Sequence, residues 1–226
     1  MIIHVKKNSN QSSIKEIATK YEAVELITTE NHILVTPSSV KKIDDKYQDV
    51  IEHAWVSDSD IQLASRKYKS QTREVKIGDY AIGGDSRNTF VIIGPCGVES
   101  QEQIESSARL IKECGLHSLR AGSFKPRTSP YSFQGMGVEG LQLLSEMRKK
   151  YGFPIVTEVR DSSHIDAVIE YADVVQIGAK AMYDHGILRK CGKSKKPILL
   201  KRGFGSTLQE FVQAAEFILS GGNSQV

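Results

Sequence analysis

A dense group of positively charged side chains lies in the segment RAGSFKPRTSP, residues 120–130. It contains Arg120, Lys125 and Arg127, with Thr and Ser hydroxyls and two prolines, directly after a short apolar run. Cations and hydroxyls at fixed positions are the donors that hold phosphate groups in proteins. A solvated charge run is typically longer and is not held by prolines. The segment therefore favours a phosphate site, with a solvated loop as the alternative.

Polar residues also follow four other apolar runs, each a predicted strand. With the first segment, the runs are FVIIG (90–94), HSLRAG (117–122), PIVTEV (154–159), DVVQIG (173–178) and PILLKRG (197–203). The carboxyl ends of parallel strands meet at one edge of a sheet, where α/β proteins bind ligands. The cations expected there are Arg120, Lys125, Arg127, Lys180 and Lys201. Five cations on one edge predict a ligand with several anionic groups, although each one singly is also typical of a solvated loop.

Cys96 and Glu158 are the other candidate chemical groups at the strand ends. Cys96 follows Gly-Pro, where it is either a small buried apolar residue or a metal ligand or nucleophile. Glu158 is either a carboxylate of the site or the partner of Arg160 or of another cation at this edge. Cys114 and Cys191 lie near predicted helix ends and are interpreted as structural or incidental.

Residues 89–226 alternate these apolar runs with amphipathic helices, which predicts right-handed βαβ units and a parallel sheet. One helix is expected to begin after Ser100, and another after Ser206 or Thr207. An eight-stranded barrel needs about 250 residues. The alternatives are therefore an incomplete barrel of about five units or a smaller open α/β sheet. GMGVEG (135–140) matches G-x-G-x-x-G, but its distance from the preceding strand predicts only a loop entering a helix at 138–150.

Residues 1–56 read as a small α+β unit in the order β-α-β-β-α-β, the ferredoxin-like split motif. Its first helix is SSIKEIATKYEA, a hairpin is expected at Glu30 and Asn31, and its second helix is SSVKKIDDKYQDV with Ser38 or Ser39 as N-cap. A polar linker and a hairpin of limited burial follow at 57–88. The predicted domains are residues 1–70 and 71–226.

Composition excludes several classes of protein. The net charge of +3, without a basic block, argues against a nucleic-acid partner. The longest apolar runs fall short of the ~20 residues of a membrane span, and the N-terminus does not read as a signal peptide. Three dispersed cysteines argue against a disulfide framework. A cytoplasmic protein is expected.

The motifs IGPCGVES, LRAGSFKPRTSPYSFQGMGVEGL, PIVTEVRD, VVQIGA and PILLKRG occur in this order. They resemble 3-deoxy-D-arabino-heptulosonate 7-phosphate (DAHP) synthase, in the subgroup with an N-terminal ferredoxin-like domain. The resemblance implies part of a (β/α)8 barrel and the condensation of phosphoenolpyruvate with erythrose 4-phosphate. That reaction releases phosphate and begins aromatic amino-acid synthesis. Both substrates are phosphorylated, which accounts for a cationic edge.

The resemblance also implies roles for single residues. Cys96 would be a ligand of a divalent metal such as Mn²⁺, and Lys125 and Glu158 would be catalytic. The implied contacts to phosphoenolpyruvate are Arg120, Lys125, Gly178, Ala179, Lys180 and Lys201. Arg127 and Thr128 would hold the sugar phosphate. Lys180 departs from the family's arginine, which predicts weaker phosphate binding because lysine lacks the planar fork.

The family's remaining metal ligands come from later strands, which this sequence lacks. The chain is therefore expected to be either a DAHP synthase cut short after the fifth unit or an inactive homologue that acts as a binding or regulatory module. Tyr or Phe is the expected feedback ligand of the N-terminal unit, and self-association is expected from the resemblance.

Overall fold

The computed structural model describes residues 1–28, 31–125 and 127–226. These residues form a mixed α/β fold with an antiparallel four-stranded sheet, a small hairpin and a parallel four-stranded sheet with helices. None of the helices in these ranges has both the length and the apolar character needed to cross a membrane.

The N-terminal sheet consists of neighbouring antiparallel strands. Its elements are β1 (Ile2–Val5), α1 (Gln11–Lys20), β2 (Val24–Ile27), β3 (His32–Val35) and β4 (Ile51–Trp55), and the strand order is β2-β3-β1-β4. Helix α1 buries Ile14 and Ile17, as its apolar spacing predicts. The pairing of β2 with β3 confirms the predicted hairpin, although its turn residue Glu30 lies outside the described residues.

The second predicted helix of this unit is wrong. Asp45–Tyr47 form a single turn of 3-10 helix, and neither Ser38 nor Ser39 caps a helix. The segment is held against α1 by two hydroxyl groups: that of Tyr47 donates to Glu16 at 2.7 Å, and that of Tyr21 donates to Asp44 at 2.9 Å. These tertiary contacts override a helix preference that the aspartates of the segment weaken.

The predicted hairpin of limited burial is confirmed between β5 (Glu74–Ile77) and β6 (Tyr80–Gly83). Its Ile77 is buried against Val156 and Val174 of the parallel sheet. The hairpin therefore covers one surface of that sheet.

The C-terminal part alternates strands and helices, as predicted. Its elements are α2 (Gln101–Glu113), β7 (Leu119–Arg120), α3 (Val138–Tyr151), β8 (Ile155–Val159), α4 (Ile165–Tyr171), β9 (Val174–Ile177), α5 (His185–Lys193), β10 (Ile198–Leu200) and α6 (Leu208–Leu219). The strands lie in the order β10-β9-β8-β7, and every neighbouring pair is parallel. All four strand ends therefore reach one edge.

The predicted first strand, FVIIG, is not a regular strand. It runs beside β7 with isolated bridges from Ile93 to Leu119 and from Gly97 to Gly122. Val91 and Ile93 remain 42% and 41% exposed. The segment is therefore not covered on both faces, although its continuous apolar sequence predicts such cover.

The predicted helix starts are confirmed. Ser100 caps α2 by accepting a hydrogen bond from the Gln103 backbone, and Thr207 forms a capping box with Glu210 at the start of α6. Gly137 is the N-cap of α3 with φ 62°, a left-handed conformation that favours glycine. The glycines at 135–140 thus shape a helix entry, as predicted.

Candidate functional site

A cleft of about 270 Å³ lies at the carboxyl edge of the parallel sheet. Among the described residues, its lining includes one carboxylate, Glu158, and six cationic side chains, which are Arg120, Lys125, Arg127, Arg160, Lys180 and Lys201. The side chains of Lys180 and Lys201 make neither a hydrogen bond nor an ion pair within the described part of the chain. The cleft therefore has a positive charge that its own residues do not neutralise, as an anion site requires.

Arg120 and Glu158 form a partly buried ion pair across two strands. The Nη2 of Arg120 lies 3.4 Å from Oε2 of Glu158, and their side chains are 20% and 14% exposed. The partner of Glu158 is therefore a cation of the site and not Arg160. Arg120 also donates to the carbonyl of Cys96 at 3.2 Å.

Lys125 contacts Cys96 from the segment that follows β7. Its Nζ donates to the carbonyl oxygen of Cys96 at 2.6 Å and to Sγ at 2.9 Å. The aliphatic stem of Lys125 passes between Gly97 and Gly122, where an added Cβ would lie 3.1 Å and 3.4 Å from its Cδ. These glycines give the lysine its path into the cleft. Cys96 itself is exposed, which rules out the buried apolar alternative.

The hydrogen bond from Lys125 lowers the pKa of the Cys96 thiol, whereas burial raises the pKa of Cys191 to about 12. Because the thiolate is the nucleophile, Cys96 is expected to react with iodoacetamide at neutral pH well before Cys191. The Lys125→Met variant should slow the reaction of Cys96 and leave Cys191 unchanged. Peptide mapping by mass spectrometry gives each rate, and equal Cys96 rates in the two proteins would contradict the assignment.

Gly178, directly after β9, leaves room for the carboxylate of Glu158 because it has no side chain. A Cβ at Gly178 would lie 2.2 Å from Oε1 of Glu158, whereas the φ of −67° and ψ of 157° suit any residue. Alanine would therefore displace the carboxylate without straining the backbone.

The Gly178→Ala variant is expected to weaken about tenfold the binding of phosphoenolpyruvate, the ligand that the family resemblance implies, because shifts of ~1 Å in a site are costly. Its melting temperature should stay near that of the wild type. The matched control is Gly205→Ala, since a Cβ there meets nothing within 4 Å. Calorimetry on both variants makes the measurement, and equal affinities would show that the position of Glu158 does not matter.

The other predicted residues differ in whether they line the cleft. Ala179 lines the cleft, and Arg127 reaches it while donating from Nε to the carbonyl of Phe133 at 3.4 Å. Thr128 is exposed to solvent and is not among the described residues that line the cleft. His164 is half-buried and stacks on Phe124, which lines the cleft, with 3.9 Å between ring centroids.

The donor set does not fit a complete metal site. Within residues 1–28, 31–125 and 127–226, no group of three or more His, Cys, Asp or Glu side chains is placed to hold a metal ion. A single thiolate, Cys96, cannot hold a divalent cation alone.

The family model of the DAHP synthetase I family matches residues 60–226. The chain belongs to this family. It is 43% identical over 166 residues to phospho-2-dehydro-3-deoxyheptonate aldolase of Thermotoga maritima, a match that covers 73% of the chain and 48% of the relative. It is 34% identical over 136 residues to 2-dehydro-3-deoxyphosphooctonate aldolase of Ralstonia pickettii, covering 57% of the chain and 48% of the relative.

Solved structures extend the likeness to the N-terminal sheet. The crystal structure of the DAHP synthase of Thermotoga maritima is similar with a TM-score of 0.70 and 35% identity, over 99% of this chain and 67% of that one. A truncated form of the Thermotoga enzyme gives a TM-score of 0.64 and 37% identity, over 74% of this chain and 59% of that one. The chain spans about half the length of the curated relatives it matches.

Sequence reasoning missed two features of the site. Arg160 lines the cleft, although its place after a strand had suggested only a partner for Glu158. Gln176 is 3% exposed and contacts both Arg120 and Glu158. Its signal was a single amide inside the apolar run DVVQIG, because a polar residue in a covered strand needs hydrogen-bond partners.

Proposed function

We propose that this chain contributes the phosphate-binding edge of a 3-deoxy-7-phosphoheptulonate synthase. The observation that carries the proposal is the cleft with six cations and one carboxylate at the carboxyl ends of β7 to β10. Phosphoenolpyruvate carries a phosphate and a carboxylate, and erythrose 4-phosphate carries a second phosphate. Several fixed cations suit this pair of anions better than one neutral sugar.

In the proposed reaction, the methylene carbon of phosphoenolpyruvate bonds to the aldehyde carbon of erythrose 4-phosphate, and water replaces the departing phosphate. We assign Arg120, Lys125, Lys180 and Lys201, with the backbone of Gly178 and Ala179, to phosphoenolpyruvate. Arg127 and Thr128 are assigned to the sugar phosphate. Lys125 would offset charge near the reacting carbons, and Glu158 would orient the water. Holding both substrates in attack geometry is the main contribution of such a site.

The family resemblance also implies a divalent metal such as Mn²⁺, which would supply Lewis-acid chemistry only if further ligands completed its site. Cys96 is the one ligand that we assign to it in this chain. The described residues leave its coordination incomplete.

We also propose the division of the chain into a ferredoxin-like unit, residues 1–70, and part of a (β/α)8 barrel, residues 71–226. The order β2-β3-β1-β4 with antiparallel neighbours supports the first, despite the reduced second helix. Four parallel strands joined by helices support the second. The family match from residue 60 fits a boundary near 70.

The N-terminal unit is proposed to regulate the cleft by binding Tyr or Phe, and the protein is proposed to self-associate. The described lining of the cleft begins at Cys96 and includes nothing from residues 1–70, so a ligand bound to the N-terminal unit would act on the cleft from a distance. Three free cysteines suit a reducing compartment such as the cytoplasm, which we propose as the location.

A binding or regulatory module without turnover is the second candidate. The incomplete metal donor set among the described residues favours it. This module would bind the same anions as the first candidate but would not catalyse the condensation.

Two measurements on the purified chain test these proposals. Calorimetry with phosphoenolpyruvate, and with Tyr or Phe in separate titrations, measures binding. Consumption of phosphoenolpyruvate with erythrose 4-phosphate and Mn²⁺ measures turnover. Binding with turnover supports the enzyme, binding without turnover supports the module, and failure to bind phosphoenolpyruvate rejects the proposed anion site.

A further inference from the structure

Gln176 lies beneath the cleft, in the middle of β9 and directly opposite Glu158 of β8. Its side chain is almost fully buried, among strand residues that are otherwise apolar. Burying an amide is costly unless both of its polar ends are hydrogen-bonded. Here both ends are used, and both partners are charged residues of the site.

The two bonds fix which way the amide faces. Oε1 of Gln176 accepts from Nε of Arg120 at 3.3 Å, and its Nε2 donates to Oε2 of Glu158. Arg120 offers only donors and the Glu158 carboxylate only acceptors, so a flipped amide would lose both bonds. The glutamine is therefore oriented by its neighbours. In turn, its side chain on β9 links Arg120 of β7 to Glu158 of β8.

This link changes how Arg120 can meet Glu158. A free arginine and carboxylate prefer a parallel fork with two N–H groups on two oxygens. The observed pair has instead one contact of 3.4 Å from Nη2, while Nε is held by Gln176 and Nη1 by the carbonyl of Cys96. The guanidinium is thus held from three sides and does not close its fork onto Glu158.

We propose that Gln176 is a positioning residue that keeps Arg120 from closing its fork onto Glu158 and so fixes the orientation in which the guanidinium meets an anionic substrate. This inference rests on the proposed function for the identity of the anion. Its structural part, the restraint of Arg120, is independent of any ligand.

The test compares three full-length variants with the wild type. Gln176→Leu removes both amide bonds, and Gln176→Glu keeps an acceptor for Arg120 but adds a negative charge beside Glu158. The matched control is Gln62→Leu, because Gln62 is also buried, and its amide donates to the carbonyl of Thr36, outside the cleft. Melting temperatures monitor the fold of each variant.

The first readout is the Nε–H signal of Arg120 in ¹⁵N-arginine NMR spectra, assigned by its loss in Arg120→Lys. We expect a slowly exchanging signal in the wild type, Gln62→Leu and Gln176→Glu, and rapid exchange in Gln176→Leu. A merely structural role would lower the melting temperature and leave this signal protected. An unchanged signal in folded Gln176→Leu overturns the inference.

The second readout is affinity for phosphoenolpyruvate by calorimetry. Gln176→Leu and Gln176→Glu should both bind about tenfold more weakly, the second because its charge offsets that of Arg120, while Gln62→Leu should bind like the wild type. Equal affinity in Gln176→Leu also overturns the inference. A wild type that fails to bind rejects the proposed function, and the NMR comparison then still decides whether Gln176 restrains Arg120.

Discussion

Replacing Lys125 with methionine is expected to weaken binding of phosphoenolpyruvate, the proposed ligand, by about a hundredfold, since loss of one partner of a desolvated charge contact costs about 2–5 kcal/mol. Lys125 is only 8% exposed, and its Nζ is held by two groups of Cys96. An anion reaching it would meet a cation already fixed in place. Methionine keeps most of the apolar stem between Gly97 and Gly122, so the fold should persist. Calorimetry with phosphoenolpyruvate gives the change.

The matched control for this variant is Lys190→Met. Lys190 is an exposed lysine of α5 that pairs with Asp166 at 2.7 Å, away from the cleft lining. Its replacement should alter the affinity less than twofold, because exposed ion pairs contribute little and lie outside the site. If Lys125→Met binds within threefold of the wild type while remaining folded, Lys125 does not hold the ligand.

The composition of the cleft followed from one rule applied to the sequence. Parallel strands end at the same edge, so residues far apart in the chain, such as Arg120 and Lys201, could be brought together before their contacts were known. The prediction needed only approximate strand positions. FVIIG does not form a regular strand, but the segment still runs beside β7 and places Cys96 at the edge. The predicted position of Cys96 is therefore correct.

The contacts within the cleft could not be predicted in this way. The partner of Glu158 depends on side-chain reach across strands: the sequence left Arg160 and the other cations of the edge as alternatives, and Arg120 makes the ion pair. The interaction of Lys125 with Cys96 requires the space at Gly97 and Gly122. Such glycines resemble ordinary loop residues until the neighbouring chain is in place.

The second helix of the N-terminal unit failed for the opposite reason. Its serine N-cap candidates suggested a helix, but a local cap signal does not include the hydroxyl groups of Tyr21 and Tyr47, which hold the segment against α1. Local pattern is a weak guide where a short polar segment has strong tertiary partners. Long, well-capped segments such as α2 and α6 were predicted correctly because local and tertiary preferences agree there.

Glu216 on α6 is a buried carboxylate whose contacts the sequence does not reveal, and its replacement has the largest expected effect on stability. Its carboxylate is 6% exposed and accepts hydrogen bonds from the backbone N–H groups of Leu63 at 2.7 Å and Ala64 at 2.8 Å. The carbonyl of Leu63 accepts from Arg73 at 2.6 Å. One buried turn before the β5–β6 hairpin is thus held from both sides by charged side chains, and Glu216 fastens it to the C-terminal part.

The Glu216→Leu variant should lower the free energy of unfolding by about 3 kcal/mol, because two backbone N–H groups lose the almost fully buried carboxylate that accepts their hydrogen bonds. Glu216→Gln should lose less, since one amide oxygen can still accept. Urea denaturation measures both. The matched control is Glu210→Leu on the same helix, where the carboxylate caps Thr207 in full contact with water. That variant should lose less than half as much, since water replaces the missing acceptor. Equal losses in the two leucine variants would mean that helix capping, and not the buried turn, governs the contribution of α6.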